Sequence, residues 1–337
     1  MQKLVSTIVA TGALAAILVV SGTINVNGAV HARESVATTA AIVDEPVALE
    51  ETSEPAQSTA AIELTSLDTR VLNERWGLEH IGVAAAWGSA GSLSPVLVAV
   101  IDTGIDPQVS YMDRVKAGID FTGSGSVSDE HGHGTHMAGT IAAIAPNATF
   151  VNLKVADKRG RCESDIVAKA IRWAADRGAL VINVSLEVEP TPALQSAVEH
   201  AWNKGAVVIA AAGNSGSTSP AYPAAYDEAI AVAGTNPSDG LAVLSNHGEW
   251  VDIAAPGLKI YSELPGGTYG LETGTSPAAS HVSGVAALAF GTAIDTNGNG
   301  YTNDEVRDAL ESSADSLSIS GIGYGLVDAC GTLDALS

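Results

Sequence analysis

Short apolar runs of strand length alternate with helical patterns along most of this 337-residue chain. Strands of a parallel sheet are apolar on both faces, and helices connect them. We therefore predict an α/β fold, a three-layer sandwich with a doubly wound, mostly parallel sheet. The strands are predicted at Val96–Ile101, Phe150–Val155, Leu180–Leu186, Ala206–Ala211, Ile230–Ala233 and Val251–Ile253, and two connecting helices at Ser164–Asp176 and Thr191–Lys204.

Two segments of different composition precede this pattern. The apolar run 4–20, followed by small residues near 30–32, predicts a signal peptide at residues 1–32. An uncleaved membrane anchor is the alternative, although the run is short for a bilayer span. Residues 33–70, rich in Ala, Glu, Thr, Ser and Pro, are predicted to be an acidic low-complexity linker or a short pro-segment. One compact domain is predicted at 71–337.

Charge and cysteine content limit the partners of the chain. It has 38 acidic and 16 basic residues, a formal net charge of -22. Because nucleic acids are held by Lys and Arg on their phosphates, this balance argues against a nucleic-acid partner. With the signal peptide, it predicts a secreted protein, expected to be a monomer without a stable membrane span after cleavage. Cys162 and Cys330 do not make a disulfide scaffold, and the sequence leaves their pairing open.

Polar residues follow two of the predicted strands. In open parallel sheets the ligand site lies beyond the carboxyl ends of the strands. The first strand runs into Asp102, whose carboxylate needs a partner if it is buried there; a turn or cap residue is the alternative. Another strand is followed by Asn214, whose side-chain amide can donate to a carbonyl oxygen; a turn asparagine is the alternative.

Residues 131–136, HGHGTH, place three imidazoles within six residues, just before a helix of small residues. Three ligands at this spacing can bind zinc, but the stretch has no cysteine and lacks the paired histidines with an intervening Glu of helical metalloproteases. Alternatively, His133 is a general base near the start of the helix, or the histidines are structural. This segment alone leaves the three interpretations open.

Residues 272–288, ETGTSPAASHVSGVAAL, predict a second helix of small residues. Pro277 suits its first turn, so Ser276 stands at the helix N-terminus. There its hydroxyl lies near the positive end of the helix dipole, and its N–H is free to hold a developing oxyanion. An ordinary N-cap serine is the alternative.

Five segments together resemble the subtilisin-like serine peptidase (subtilase) family. They are VAVIDTGID, HGHGTHMAGTIAA, VINVSL, AAAGNSG and ETGTSPAASHVSGVAAL, in the family's order Asp, His, Ser. The resemblance implies that Ser276 is the nucleophile, His133 the general base and Asp102 the carboxylate that orients the imidazole. It also implies an oxyanion hole formed by the Asn214 side chain and the Ser276 N–H. The implied function is a secreted serine endopeptidase that hydrolyses proteins or peptides through an acyl-enzyme, without a cofactor for the chemistry.

The substrate cleft departs from the family's pattern. Ser185 and Leu186 fall where the family pairs with an extended peptide, but a Gly-Gly pair is replaced by Glu187-Val188-Glu189. Glu187 and Glu189 either favour basic substrate residues or narrow the cleft; the alternative is that they point into solvent. Together with the short pro-segment, this rim leaves a catalytically weak, peptide-binding relative as the alternative function. A metalloenzyme that uses the three histidines is a third.

A separate loop resembles the first half of an EF-hand. Asp295, Asn297 and Asn299 have the spacing of the first calcium ligands, although the twelfth position is a valine instead of a glutamate. The sequence therefore predicts a structural calcium ion at these three residues as one interpretation. The other is that Thr302 and Glu305 form a capping box for the next helix.

Overall fold

The computed structural model describes residues 76–337. The predicted signal peptide, the predicted acidic segment and the first five residues of the predicted domain lie outside the described residues. The elements in chain order are α1 (Trp76–His80), α2 (Val83–Ser89), β1 (Val96–Asp102), a 3₁₀ turn (Met112–Arg114), β2 (Val115–Asp120), α3 (His133–Ile144), β3 (Ala148–Lys154), α4 (Ser164–Asp176), β4 (Val181–Val184), α5 (Pro192–Trp202), β5 (Val207–Ala211), β6 (Ala229–Thr235), β7 (Ile253–Pro256), β8 (Ile260–Leu264), β9 (Thr268–Glu272), α6 (Thr275–Phe290), α7 (Asn303–Ser312) and α8 (Ala329–Ala335).

The central sheet has seven strands in the order β2-β3-β1-β4-β5-β6-β7, and every neighbouring pair is parallel. The chain builds outward in both directions from β1, which pairs with β3 on one side and β4 on the other. All six predicted strands belong to this sheet, although β7 begins two residues later than predicted. The predicted doubly wound α/β fold is confirmed.

Helices cover both faces of the sheet. Along β1, Val98 and Val100 pack into one apolar cluster, whereas Ala99 and Ile101 pack into the other. Because side chains alternate across a strand, a strand buried on both faces must be apolar throughout. The second cluster lies under α4 and α5, and the Thr191 hydroxyl caps α5 by accepting from the Leu194 N–H at 3.1 Å.

The first cluster surrounds α6, which is buried along its whole length. This helix runs beside α3, where the Ser280 hydroxyl lies 3.1 Å from the Met137 sulfur. Further along, a Cβ at Gly284 would lie 2.7 Å from the Ile144 Cβ, closer than carbon atoms can approach. The absence of a side chain at Gly284 therefore sets the distance between the two helices.

Three strands were not predicted from the sequence. The strand β2 lies at the edge of the sheet, and its half-exposed residues include a glycine, so it lacks an apolar run. The strands β8 and β9 form an antiparallel hairpin with many polar and exposed residues. Such strands are specified by their neighbours more than by their own composition.

Within residues 76–337, no helix has both the length and the apolar character that a membrane span requires. Cys162 and Cys330 are free thiols, each half-buried.

The contact at Gly284 predicts opposite effects for two Gly-to-Ala changes in helices. Gly284→Ala is expected to lower the free energy of unfolding by about 1–3 kcal/mol, because its methyl group overpacks against Ile144. Gly88→Ala in α2 is the matched control, since a Cβ there meets no atom within 4 Å. It should be neutral or stabilise by up to about 1 kcal/mol. Urea unfolding of the three proteins measures both effects, and equal changes would contradict the packing argument.

Candidate active site

The polar residues singled out in the sequence lie at the carboxyl edge of the sheet. Asp102 is the last residue of β1, and Ser185 directly follows β4. The two strands are neighbours with Ile101 opposite Val184, which places Asp102 beside Ser185. Asn214 follows β5, the next strand along.

Asp102 and His133 form a buried hydrogen-bonded pair. The His133 Nδ1 lies 2.7 Å from the Asp102 Oδ1, and the two side chains are 18% and 1% exposed. Since an ionised carboxylate only accepts, the imidazole proton is on Nδ1, which leaves Nε2 as a lone-pair acceptor when the ring is neutral. Burial alone would lower the pKa of His133, but the charge and hydrogen bond of Asp102 outweigh it and raise the pKa above 6.5.

Asp129 holds the start of α3 against the end of β1. Its buried carboxylate accepts from the Thr103 hydroxyl at 2.8 Å, and from the Thr135 hydroxyl and N–H at 2.6 and 2.9 Å. Further bonds come from the N–H groups of His131 and Gly132. Burial raises the pKa of Asp129, but these hydrogen bonds outweigh it and hold the pKa below its ordinary value. The sequence motifs alone did not single out Asp129.

The three histidines of residues 131–136 have separate environments. His131 is exposed and lies edge-on to His133, with ring centroids 6.2 Å apart. His136 is fully buried, and its Nε2 donates to the carbonyl oxygen of Ile260 at 2.9 Å. Burial lowers the pKa of His136 to about 4, so the ring is neutral. Within residues 76–337 no cluster of three or more His, Cys, Asp or Glu side chains is arranged to hold a metal ion.

Ser276 is the second residue of α6 and is buried. Its N–H is one of the first four of the helix, which have no partner inside the helix. Its hydroxyl donates to the carbonyl oxygen of Ser185 at 3.2 Å, a long distance for a hydrogen bond between oxygens. Because Ser280 and Met137 touch one turn further along α6 and α3, Ser276 and His133 lie at neighbouring helix ends.

Asn214 is held by one end of its amide. Its Oδ1 accepts from the Thr275 N–H at 2.8 Å and from the Thr275 hydroxyl at 3.2 Å. The Nδ2 group is therefore the end available to donate. A Cβ at Gly274 would lie 3.0 and 3.1 Å from the Asn214 Oδ1 and Nδ2, so the amide rests directly on a glycine.

A buried polar network beneath Ser276 was not identified from the sequence. The Asn183 amide donates to the Ser185 hydroxyl at 3.0 Å, and its oxygen accepts from the Ser283 hydroxyl at 2.9 Å. The Ser185 hydroxyl in turn donates to the carbonyl oxygen of Ser276 at 3.2 Å. The signal in the sequence is an asparagine inside an apolar strand, since buried amides require partners.

Glu272 is a further acidic residue near the pair, also missed in the sequence. It ends β9, four residues before Ser276, and is half-buried. Burial raises the pKa of Glu272 to about 7, although the charge of His133 acts in the opposite direction. Its negative charge in turn helps to raise the pKa of His133.

The predicted substrate residues differ in their exposure to solvent. Ser185 is buried, Leu186 is half-buried and Glu187 is exposed. The Val188 N–H donates to the carbonyl oxygen of Tyr222 at 2.9 Å, which joins this rim to the opposite wall.

The loop at Asp295 is closed by its own hydrogen bonds. The Asp295 carboxylate accepts from the backbone N–H groups of two loop glycines at 2.7 and 2.8 Å. The side-chain amides of Asn297 and Asn299 both donate to the Asp304 Oδ2, at 2.6 and 2.9 Å. Calcium at Asp295, Asn297 and Asn299 stays a prediction.

The alternative interpretation of this loop as a capping box is wrong. The Thr302 side chain makes no capping hydrogen bond to α7. The Glu305 carboxylate instead reaches back to the Thr296 N–H and hydroxyl, both at 2.9 Å. Glu305 therefore binds the loop and does not cap the N-terminus of α7.

Comparisons with known proteins agree with this geometry. Residues 94–326 match the family model described as the subtilase family. The chain is 40% identical over 272 residues to thermitase of Thermoactinomyces vulgaris, covering 76% of this chain and 94% of thermitase. It is 39% identical over 270 residues to the thermophilic serine proteinase of Bacillus sp. strain AK1, covering 76% of this chain and 66% of that protein.

A solved structure supports the same conclusion. The fold resembles a protease of Pseudoalteromonas arctica PAMC 21717 with a TM-score of 0.70 and 28% sequence identity, covering 79% of this chain and 98% of the other. The sequence motifs, the parallel sheet and these similarities agree. The chain belongs to the subtilase family, and it is a serine-type endopeptidase.

Proposed function

We propose that this protein is a secreted endopeptidase that cleaves proteins through an acyl-enzyme, with Ser276 as nucleophile, His133 as general base and Asp102 as the orienting carboxylate. The observation that carries the proposal is the 2.7 Å contact between the His133 Nδ1 and the buried Asp102. It fixes the tautomer in which Nε2 can accept a proton. A serine hydroxyl is a weak nucleophile until such a base removes its proton.

The proton transfer requires a small movement of Ser276. In the structure its hydroxyl donates to the Ser185 carbonyl at 3.2 Å. Rotation about the side-chain bond turns the hydroxyl from this weak partner toward the imidazole, and catalytic hydrogen bonds often tighten only when substrate binds. Asp102 then stabilises the imidazolium, which later gives its proton to the leaving amine.

The oxyanion is proposed to lie between the Asn214 Nδ2 and the Ser276 N–H. Two contacts from Thr275 fix the other end of the Asn214 amide before substrate arrives. Donors that are already oriented cost no reorganisation as charge develops on the carbonyl oxygen. The N-terminal position of Ser276 in α6 adds the favourable end of a helix dipole.

The other classes of function explain fewer of these contacts. A peptide-binding relative without activity needs neither the Asp102–His133 pair nor an oriented Asn214. A zinc site at residues 131–136 would need the three imidazoles to converge, whereas His133 and His136 bind separate partners.

Several wider features belong to the same proposal. Residues 1–32 act as a cleaved signal peptide for secretion, residues 33–70 form a linker or short pro-segment, and residues 71–337 form the peptidase domain. The protein works as a monomer on protein or peptide substrates. No cofactor takes part in the chemistry, and calcium at the Asp295 loop has a structural role.

A serine-directed reagent tests the nucleophile. A fluorophosphonate should label the wild-type protein at Ser276, and Ser276→Ala should lose labelling together with at least about four orders of magnitude in casein hydrolysis. Ser215→Ala, an exposed serine beside Asn214, is the matched control and should still be labelled. Mass spectrometry of the adduct locates the label. A folded wild-type protein that never reacts at Ser276 would overturn the proposal.

The oxyanion hole predicts a loss in turnover at Asn214. Asn214→Ala should lower kcat by about 10²- to 10³-fold and change KM little, because the lost hydrogen bond forms mainly in the transition state. Gly274→Ala should act in the same direction, since its methyl group would displace the amide. Steady-state kinetics on one peptide substrate measures both. A loss confined to KM would argue against this role.

The position of Glu272 predicts a change in pH dependence. Ionised Glu272 favours the protonated imidazole, so Glu272→Gln should lower the pKa of His133. Because catalysis needs the neutral ring, the acidic limb of the kcat/KM profile should move to lower pH, by about half a unit. Glu79→Gln, an exposed residue of α1, serves as the charge control and should leave the limb in place. A shift to higher pH would contradict the prediction.

A further inference from the structure

A cavity of about 820 Å³ is lined in part by Glu187, two residues after Ser185, whose carbonyl oxygen contacts the proposed nucleophile. One wall is the rim segment that contains Glu187 and Val188, and the other contains Ala221 and Tyr222. The Val188–Tyr222 backbone hydrogen bond of 2.9 Å holds the two walls together. The cavity is therefore a built part of the cleft.

Glu187 lines this cavity, and its carboxylate lies close to Gly213. A Cβ at Gly213 would come within 2.8 Å of the Glu187 Oε2 and within 3.4 Å of the Ala221 Cβ. The carboxylate and the Ala221 methyl group therefore both pack close to Gly213, together with the Asn246 Nδ2, which a Cβ there would approach to 2.5 Å. Although Glu187 is exposed to solvent, its charged end is turned back toward the cleft.

Glu187 lies near two of the residues that we propose take part in catalysis, Ser276 and Asn214. Two residues before Glu187, the carbonyl oxygen of Ser185 accepts from the Ser276 hydroxyl. On the other side, Gly213 directly precedes Asn214. We therefore infer that a side chain entering the cavity between Glu187 and Ala221 belongs to the substrate residue whose carbonyl carbon Ser276 attacks.

The cavity contains no positive charge to pair with Glu187. Glu163 and Glu189 are also among its lining residues, whereas no Lys, Arg or His of the described chain lines it. The nearby Arg161 is already paired with Asp157 at 3.0 Å. Among residues 76–337, Glu187 has no ion pair or hydrogen-bond partner of its own.

We propose that Glu187 makes this peptidase select Arg or Lys at the residue whose carbonyl is attacked, an inference that rests on the proposed function. A guanidinium can pair with the carboxylate through two parallel hydrogen bonds, and an ammonium through one. A Leu or Phe side chain would instead strip water from Glu187 without replacing its hydrogen bonds, which is costly. Selection thus comes from attraction of one class of side chain and rejection of another.

Paired peptide substrates test the proposal. Two fluorogenic peptides differ only in Arg or Leu before the scissile bond, and kcat/KM is measured for each. The wild-type enzyme should favour the Arg peptide, and Glu187→Gln should lower the Arg-to-Leu ratio by about 10- to 100-fold, the range for a lost desolvated charge pair. Glu187→Lys should reverse the selection toward a third peptide with Glu at this position. Glu79→Gln, which removes a distant surface charge, should leave the ratio unchanged.

The outcomes distinguish a failure of the selectivity proposal from a failure of the proposed function. If fluorophosphonate labels Ser276 and both peptides are cleaved, but the wild type favours Leu or the ratio is unchanged in Glu187→Gln, the selectivity proposal is overturned and the proposed function stands. If the folded wild type is neither labelled nor active, both are overturned. A ratio that falls in Glu187→Gln and inverts in Glu187→Lys supports the proposal.

Discussion

The close approach of two small-residue helices to the sheet and to each other is the constraint on which the active site depends. A Cβ at Gly134 would lie 2.2 Å from the carbonyl oxygen of Gly104, so only a glycine lets the start of α3 rest against the end of β1. Gly284 does the same between α6 and Ile144. Without both contacts, His133 and Ser276 would stand further from each other and from Asp102. Each glycine lacks an apolar side chain that could have been buried. The complete burial of α6 offsets this loss of buried apolar area.

Asp129 is stabilised mainly by dipoles, whereas the side-chain partner of Asp102 is the His133 imidazole. Asp129 accepts five hydrogen bonds from backbone and hydroxyl groups, and Asp102 is bound by the Thr103 N–H and by His133. The buried Lys154, opposite Asp102 in the sheet, donates to the carbonyl oxygen of Thr103. This arrangement suits a chain with 38 acidic and only 16 basic residues. Fixed dipoles also hold their orientation better than long, flexible cationic side chains do.

The sequence predicted the parts of the fold that are set by local composition. Six apolar strands could be recognised because a buried parallel strand has little freedom in its composition. The helices α4 and α5 and the polar residues at the strand ends could then be recognised between and after these strands. The strands β8 and β9 pair locally with each other, but neither contains an apolar run that would mark it as a strand, so they could not be recognised. The edge strand β2 could not either, because it pairs with β3, which lies distant in the chain. The same is true of Asp129 and Asn183, whose hydrogen bonds join segments that only the folded chain brings together. The capping box at Thr302 and Glu305 was predicted from local sequence alone and is wrong. Glu305 could bond to the N-terminus of α7, as the motif requires, or to Thr296, and it binds Thr296.

The route of α6 through the molecule also makes the proposed catalytic groups depend on the C-terminal part of the chain. This helix enters late in the chain and packs against the central strands β1, β4, β5, β6 and β7, whose residues must already be paired to receive it. The helix α3, which begins at His133, is itself held by the C-terminal third, because the His136 ring donates to the carbonyl oxygen of Ile260 and Met137 touches Ser280 of α6. With the proposed roles, a chain that lacks this third therefore has neither the nucleophile nor the contacts that hold the base in place.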